Sequence, residues 1–281
     1  MSNIFITYGD DNFYKSRKRI CKEAKKTGIF QKVIEYRPQD LPNYVKASPL
    51  FGFPRGGGYW VWKPFLIYMT LSKCKEDDVV WYVDAGCSIN SESEEWIVLL
   101  NKIRLFNAIF FQYRDDVSYK GWAQFCSLPN NNNPQMIHWT KPSVVDYFKK
   151  YYDSDDFLHF NQVPSGFFIV KKTKNHLKVI SEWYHLALFK PNLFIDPFGP
   201  ELLHLPKTFN EHRHDQTILT LLIWKYQKID KILVLPETLE SCGTYSPCVV
   251  ATRIHSYRWT IWDSLRFWYG KFLKIFININ N

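Results

Sequence analysis

Three short stretches of the sequence gather residue types that chemistry needs. In VVWYVDAG (79–86), Asp84 arrives where a β-branched and aromatic run stops, and Ala85 and Gly86 follow it. A carboxylate at such a strand tip is placed to hold a ligand or a cation, although the same three residues also describe a turn. Gly86, without a side chain, would let a ligand or metal approach the backbone. In RGGGYWVWKP (55–64), Arg55 and Lys63 bracket three glycines, among them Gly57 and Gly58. Such a run permits backbone shapes that aim several N–H groups at an anion. Tyr59, Trp60 and Trp62 add flat faces on which a base or a sugar could stack. In EHRHDQTILTLL (211–222), His212, Arg213, His214, Asp215 and Gln216 crowd the start of an apolar helix. Asp215 could cap that helix, but the cluster is more polar than capping needs, and a helix N-terminus also favours anions. No GxxxxGK[ST] or GxGxxG string is present, which excludes a P-loop and a dinucleotide fingerprint.

The elements that must position these residues alternate. Strands are expected at 3–8, 32–37, 78–83, 108–113, 166–172 and 231–236. Helices are expected over about 11–27, from about 64 to 74 with an amphipathic pattern, over 93–106, from Thr140 with Pro142 in the first turn, over about 174–190, and from His214 onward. Ser91 and Glu94 match a capping box for the third of these, leaving Glu94 and Glu95 to capping and solvent. FNQVPSGFFIVKK (160–172) carries Ser165 and Gly166 into the fifth of these strands. Alternation of this kind argues for an α/β domain with a mostly parallel central sheet flanked by helices.

The chain has 281 residues, 46 % apolar and 18 % aromatic, with 36 Lys and Arg against 27 Asp and Glu, a formal charge of +9. That surplus favours a polyanionic partner: nucleic acid, an anionic membrane surface or a phosphorylated small molecule. The six cysteines have neither CxxC pairing nor metal-ligand spacing, so reduced thiols in a cytoplasmic protein are expected. No secretory signal and no membrane-spanning run is read. Residues 1–250 read as one domain. Residues 251–281 interleave Trp, Phe and Leu with Arg and Lys, as a basic aromatic helical tail that would either lie on a membrane or pack back on the domain.

Taken in order, GGGYWVWKP, VVWYVDAGCSI, SGFFIVKK and HRHDQTILTLL resemble GT-A-type glycosyltransferases, more closely those of bacterial-style capsule and O-antigen polysaccharide assembly. The resemblance spans about residues 1–240 and implies a GT-A-like (Rossmann-like) single domain. It also implies a nucleotide-sugar donor, UDP-linked by preference, and hexosyl transfer to a glycan or lipid-linked acceptor at a membrane's inner face. Donor contacts would fall to Arg55, Gly57, Gly58, Tyr59, Trp62, Lys63, Asp84, Ala85, Gly86 and Arg213. Ser165, Gly166 and Gln216 would face the sugar or acceptor, and Asp215 with His214 would be catalytic. Where the family commonly has Asp-x-Asp, this chain has Asp84-Ala85-Gly86. Either Asp84 alone ligates Mn²⁺ or Mg²⁺, or Arg55, Lys63, Arg213 and His214 neutralise the diphosphate directly. Two other classes compete. A non-enzymatic nucleic-acid binder would use the charge and the aromatics, against dispersed Lys and Arg and no binding motif. A glycosidase would need Asp84 and Asp215 paired across a cleft without a nucleotide site.

Overall fold

The computed structural model describes residues 1–115, 133–240 and 246–253. In chain order, β1 (Asn3–Tyr8), α1 (Tyr14–Lys26), β2 (Lys32–Tyr36), α2 (Trp62–Lys73), β3 (Val79–Val83), β4 (Ser88–Ile89), α3 (Glu95–Leu105) and β5 (Ala108–Gln112) form the first half. α4 (Pro142–Tyr152), β6 (Phe167–Lys171), α5 (Lys178–Phe189), α6 (His214–Tyr226), β7 (Ile232–Pro236) and β8 (Val249–Val250) follow. Six strands make one sheet in the order β2-β1-β3-β6-β5-β7, and β4 pairs with β8. The sheet is mostly parallel, as expected; β6 alone runs against its neighbours β3 and β5.

The strands read as continuous apolar runs because both faces of the sheet are covered. Alternation along β3 shows it. Val79, Trp81 and Val83 join residues of α1 and α3 in one core, while Val80 and Tyr82 join α2, α5 and α6 in the other. Every residue of β3 is buried, and the Trp81 indole N–H donates to Asn3 Oδ1 at 3.1 Å.

Three local expectations fail for physical reasons. α2 is not amphipathic in its setting: Trp62 through Ile67 are all buried, since it is enclosed between the sheet and α5. α3 starts at Glu95 with Glu94 at the N-cap making no side-chain cap; Ser93 Oγ, just before it, accepts from Glu95 N at 3.2 Å, and Ser91 makes no capping box. Glu95 itself is buried, accepting from Cys248 N at 2.7 Å and so fastening the β8 segment to the body. Residues 251–253 stay bonded to the body, for Ala251 N donates to Leu239 O and Thr252 Oγ1 to Gly86 O. The rest of the expected tail, 254–281, lies outside the described residues. No helix of the described residues is long and apolar enough to cross a membrane.

Trp81→Ala removes a fully buried indole from the central strand and should cost about 3–5 kcal/mol, read as a lower urea midpoint. A loss under about 1 kcal/mol would contradict this packing.

Candidate functional site

Strand direction decides where the polar residues meet. Parallel strands β1, β3, β5 and β7 end at one edge of the sheet, and helices leading back into parallel strands begin there. Lys63 sits in the first turn of α2, which leads into β3, and Asp215 in the first turn of α6, which leads into β7. Because β6 runs the other way, its lead-in, Ser165-Gly166, reaches the same edge. The pairing Val83↔Phe167 then places Asp84 opposite Gly166, with Asp84 N donating to Gly166 O at 2.8 Å.

At this junction the Lys63 ammonium, 1 % exposed, lies 3.1 Å from Asp215 Oδ2 and 3.4 Å from Asp84 Oδ1. It also donates to Ser165 Oγ at 3.0 Å and Ser165 O at 3.1 Å. The Ser165 hydroxyl in turn donates to Asp215 Oδ2 at 2.8 Å. The Tyr82 hydroxyl donates to Asp84 Oδ1 in a short contact. Burial holds that phenol well above its usual range, so it remains a neutral donor. Burial also pushes the Lys63 amine down, but the charges of Asp215 and then Asp84 outweigh it, and its pKa ends raised. For Asp215, burial raises the carboxyl pKa more than Lys63 and Ser165 lower it.

A cavity of about 340 Å³ opens over this junction, lined among others by Arg55, Trp60, Glu211, Arg213, His214 and Arg253. Its rim is made of ion pairs. Arg55 meets Asp196 at 3.1 Å and Glu211 at 3.3 Å, and Arg213 is paired with Glu211. Beside them, the His214 ring stacks on Trp60, with centroids 5.4 Å apart and planes at 26°. Tyr59, Trp60 and His214 all have left-handed backbones, with φ of 56°, 57° and 53°. Non-glycine residues adopt that region at a cost, and three of them touching mark where the fold stores strain.

Of the residues expected at a site, the structure brings Arg55, Lys63, Asp84, Ser165, Gly166, Arg213, His214, Asp215 and Gln216 to one cavity wall. Gln216 is held by its side-chain bond to Gln162 at 2.7 Å. Others stand behind. Gly57 N and Gly58 N donate to Pro54 O and Phe53 O, so these amides are spent inside a turn rather than aimed at an anion. Gly58 has φ +95°, and a Cβ there would meet Leu50 O at 3.0 Å, so the glycine serves a close backbone approach. Trp62 faces inward, stacked on Tyr8 at 4.0 Å, while the cavity's indole is that of Trp60. The Tyr59 hydroxyl donates to Asp196 at 3.2 Å. Ala85 and Gly86 form the turn in which Cys87 N bonds Asp84 O at 2.9 Å.

His214 departs from the proton-carrying role expected of it. Its Nδ1–H donates to Phe194 O at 2.8 Å, leaving Nε2 a buried acceptor with no hydrogen-bond partner among the described residues. Burial, with Arg55 nearby, lowers its pKa to about 3, so the ring is neutral. Buried and neutral, it is a weak base and supplies no positive charge to a diphosphate. His212 is fully buried and bonded to Leu193 O at 2.7 Å, a structural role. Reasoning from residue types missed Asp196, Glu211, Tyr82 and Arg253. Asp196 lies in a loop with no motif; Tyr82 alone carried a signal, since its alternation with Asp84 puts both on one face of the strand.

No family model matches the chain, and no curated protein matches it. Among solved structures it is similar to mouse xyloside xylosyltransferase 1, at 12 % identity and a TM-score of 0.42 over 84 % of this chain and 85 % of that one. It is also similar to core-mannan synthase A from Aspergillus fumigatus in its Mn/GDP form, at 11 % and 0.41 over 83 % and 72 %. A third is a glycosyltransferase involved in the glycosylation of the major capsid of PBCV-1, at 9 % and 0.38 over 84 % and 82 %. All three are glycosyltransferases, but identities and scores this low assign no residue a role in this chain.

Two consequences of burial can be measured. Lys63→Met strands two carboxylates and should cost roughly 3–5 kcal/mol near neutral pH. The loss should shrink in acid as a carboxyl takes up a proton; a pH-independent loss in thermal melts would contradict the ion cluster. His214 has a native pKa below its unfolded one, so the unfolded chain binds the proton first. Its contribution is complete above about pH 6.5 and is lost as pH falls toward 3. Urea unfolding should therefore lose about 2 kcal/mol to this residue between pH 6.5 and 5. His214→Gln should flatten the profile, and an unchanged slope would refute the assignment.

Proposed function

We propose that the protein is a glycosyltransferase that moves a sugar, a hexose by preference, from a nucleoside diphosphate, UDP by preference, to a glycan or lipid-linked acceptor. The observation that carries this reading is the meeting of Asp84, Lys63, Ser165 and Asp215 beneath a rim of arginines and one tryptophan face, at the sheet edge where α/β proteins bind ligands. The sequence resemblance to polysaccharide-assembling glycosyltransferases agrees with it.

The reaction needs its leaving diphosphate stabilised as charge grows on it. Arg55 and Arg213 stand at the mouth, each able to exchange a carboxylate partner for phosphate oxygens. Trp60, whose indole lines the cavity, offers a surface on which a base or sugar can stack. If the anomeric centre inverts, Asp215 takes the proton of the acceptor hydroxyl, a task for which its raised pKa suits it. If the centre is retained, Asp215 instead steadies positive charge at the anomeric carbon.

The donor set bears on the cation that such enzymes often use. Asp84 Oδ1 is occupied by Tyr82 and Lys63, while Oδ2 faces Gly166, where a Cβ would come within 3.1 Å of it. Among the described residues no group of three or more His, Cys, Asp or Glu could hold a metal. These residues fit a hard cation that arrives with the diphosphate and completes its shell with phosphate oxygens and water, Asp84 being its one protein ligand. Mn²⁺ or Mg²⁺ bound so would act as a Lewis acid on the leaving group. Gly166 keeps the approach to Oδ2 clear, and Lys63 fixes the carboxylate's orientation.

A donor-hydrolysis screen across nucleotide sugars, with and without Mn²⁺ or Mg²⁺, tests this reading alongside thermal shift with UDP. Stabilisation by a nucleoside diphosphate and turnover of one donor class are expected; salt-sensitive binding of oligonucleotides alone would overturn it. Asp84→Asn and Asp215→Asn should each lower turnover by about 10²–10⁴-fold with an unchanged circular dichroism spectrum. Near-normal turnover in either variant removes that residue from the mechanism.

A further inference from the structure

The segment joining α5 to α6 carries large apolar side chains that neither core takes up. Phe198, Leu202 and Leu203 are 61 %, 51 % and 76 % exposed within six residues, on and just before a 3-10 turn over Gly199–His204. Single exposed leucines need no explanation, but a cluster on one turn does.

The turn is held firmly from below. Leu193 and Phe194 are buried, and their carbonyls accept from His212 and His214. Asp196 is tied to Arg55 and Tyr59, and Glu201 Oε1 accepts from Ser143 N at 2.7 Å in the first turn of α4. All three carboxylates of the segment are therefore engaged, for Glu211 is paired with Arg55 and Arg213. The charged side chains left exposed at its two ends are basic, Lys190 and Lys207.

Side chains this exposed stand proud of the surface rather than line a groove. Three of them offer far less than the roughly 800 Å² per partner that a stable protein interface buries. A few exposed apolar side chains, with exposed Lys190 before them and Lys207 after them in the sequence and a formal charge of +9 on the chain, suit a lipid headgroup boundary, where insertion and attraction to anionic lipid act together. We propose that the Phe198–Leu203 turn is a membrane-docking element that inserts into an anionic bilayer surface. Through Asp196 and Arg55 the segment is joined to the cavity rim. The docking itself does not depend on the transfer reaction.

The test is co-sedimentation of the full chain with vesicles of phosphatidylcholine, with and without phosphatidylglycerol. Binding should require phosphatidylglycerol. The double variant Leu202→Asp, Leu203→Asp should lower the partition coefficient about tenfold or more, and Lys207→Glu several-fold. Because these positions are exposed, melting temperature and hydrolysis of a soluble donor should not change in either variant. Failure of donor hydrolysis in the unaltered protein would count against the transferase reading alone. The docking proposal is overturned if the unaltered chain ignores the vesicles, or if the double variant binds them equally, which would assign binding to another segment such as 254–281. It is also overturned if sedimentation velocity finds a dimer that the double variant abolishes, since a second copy would then cover the turn.

Discussion

The site depends on keeping one ammonium charged where nothing local favours it. Lys63 is 1 % exposed and lies in the first turn of a helix, where the backbone dipole repels a cation. A buried charge without partners costs several kcal/mol, so Asp84 and Asp215 have to converge on it. Ser165 completes the balance by accepting from Lys63 and donating to Asp215 through the same hydroxyl. The result is a hydrogen-bonded floor in which both carboxylates are tied to Lys63, Asp215 buried and Asp84 partly exposed.

That convergence follows from a single reversed strand. Were β6 parallel to its neighbours, Ser165 and Gly166 would lie at the opposite edge of the sheet, and Lys63 would lose two of its acceptors. The antiparallel β6 places the loop before it against the loop after β3, and the absent side chain of Gly166 leaves one oxygen of Asp84 approachable. Around this floor the rim is built differently, from ion pairs exposed enough to exchange partners and from aromatic rings held in left-handed backbone conformations.

Much of this was legible in the residues. The apolar run before Asp84 specified a doubly covered strand, and the polar cluster before ILTLL specified a helix start at the ligand edge. Reading Tyr59, Trp60 and Trp62 as equivalent stacking faces failed because their directions depend on a tight glycine turn. That turn sends Trp62 into the core against Tyr8 and leaves Trp60 on the cavity. The three glycines looked like an anion cradle, yet their role is that turn: two of their amides bond within it, and Gly58 admits the backbone of Leu50. His214 looked like a proton carrier because a histidine's type does not reveal its burial, and burial is what neutralises it.

What the sequence determined by itself was local: the order of strands and helices, the carboxylate at the tip of β3, and the polar starts of α2 and α6. These rest on side-chain period, glycine and proline placement and capping chemistry, which act over a few residues. Tertiary structure alone decided the partnerships. Lys63 and Ser165 are 102 residues apart in the chain, and Arg55 and Asp196 are 141 apart. Pairings over such distances are fixed by strand order, by the direction of β6 and by the cost of leaving a buried charge alone. None of these leaves a mark on neighbouring residues, so Asp84 could be recognised as a strand-tip carboxylate from its surroundings, but not as the counter-ion of Lys63.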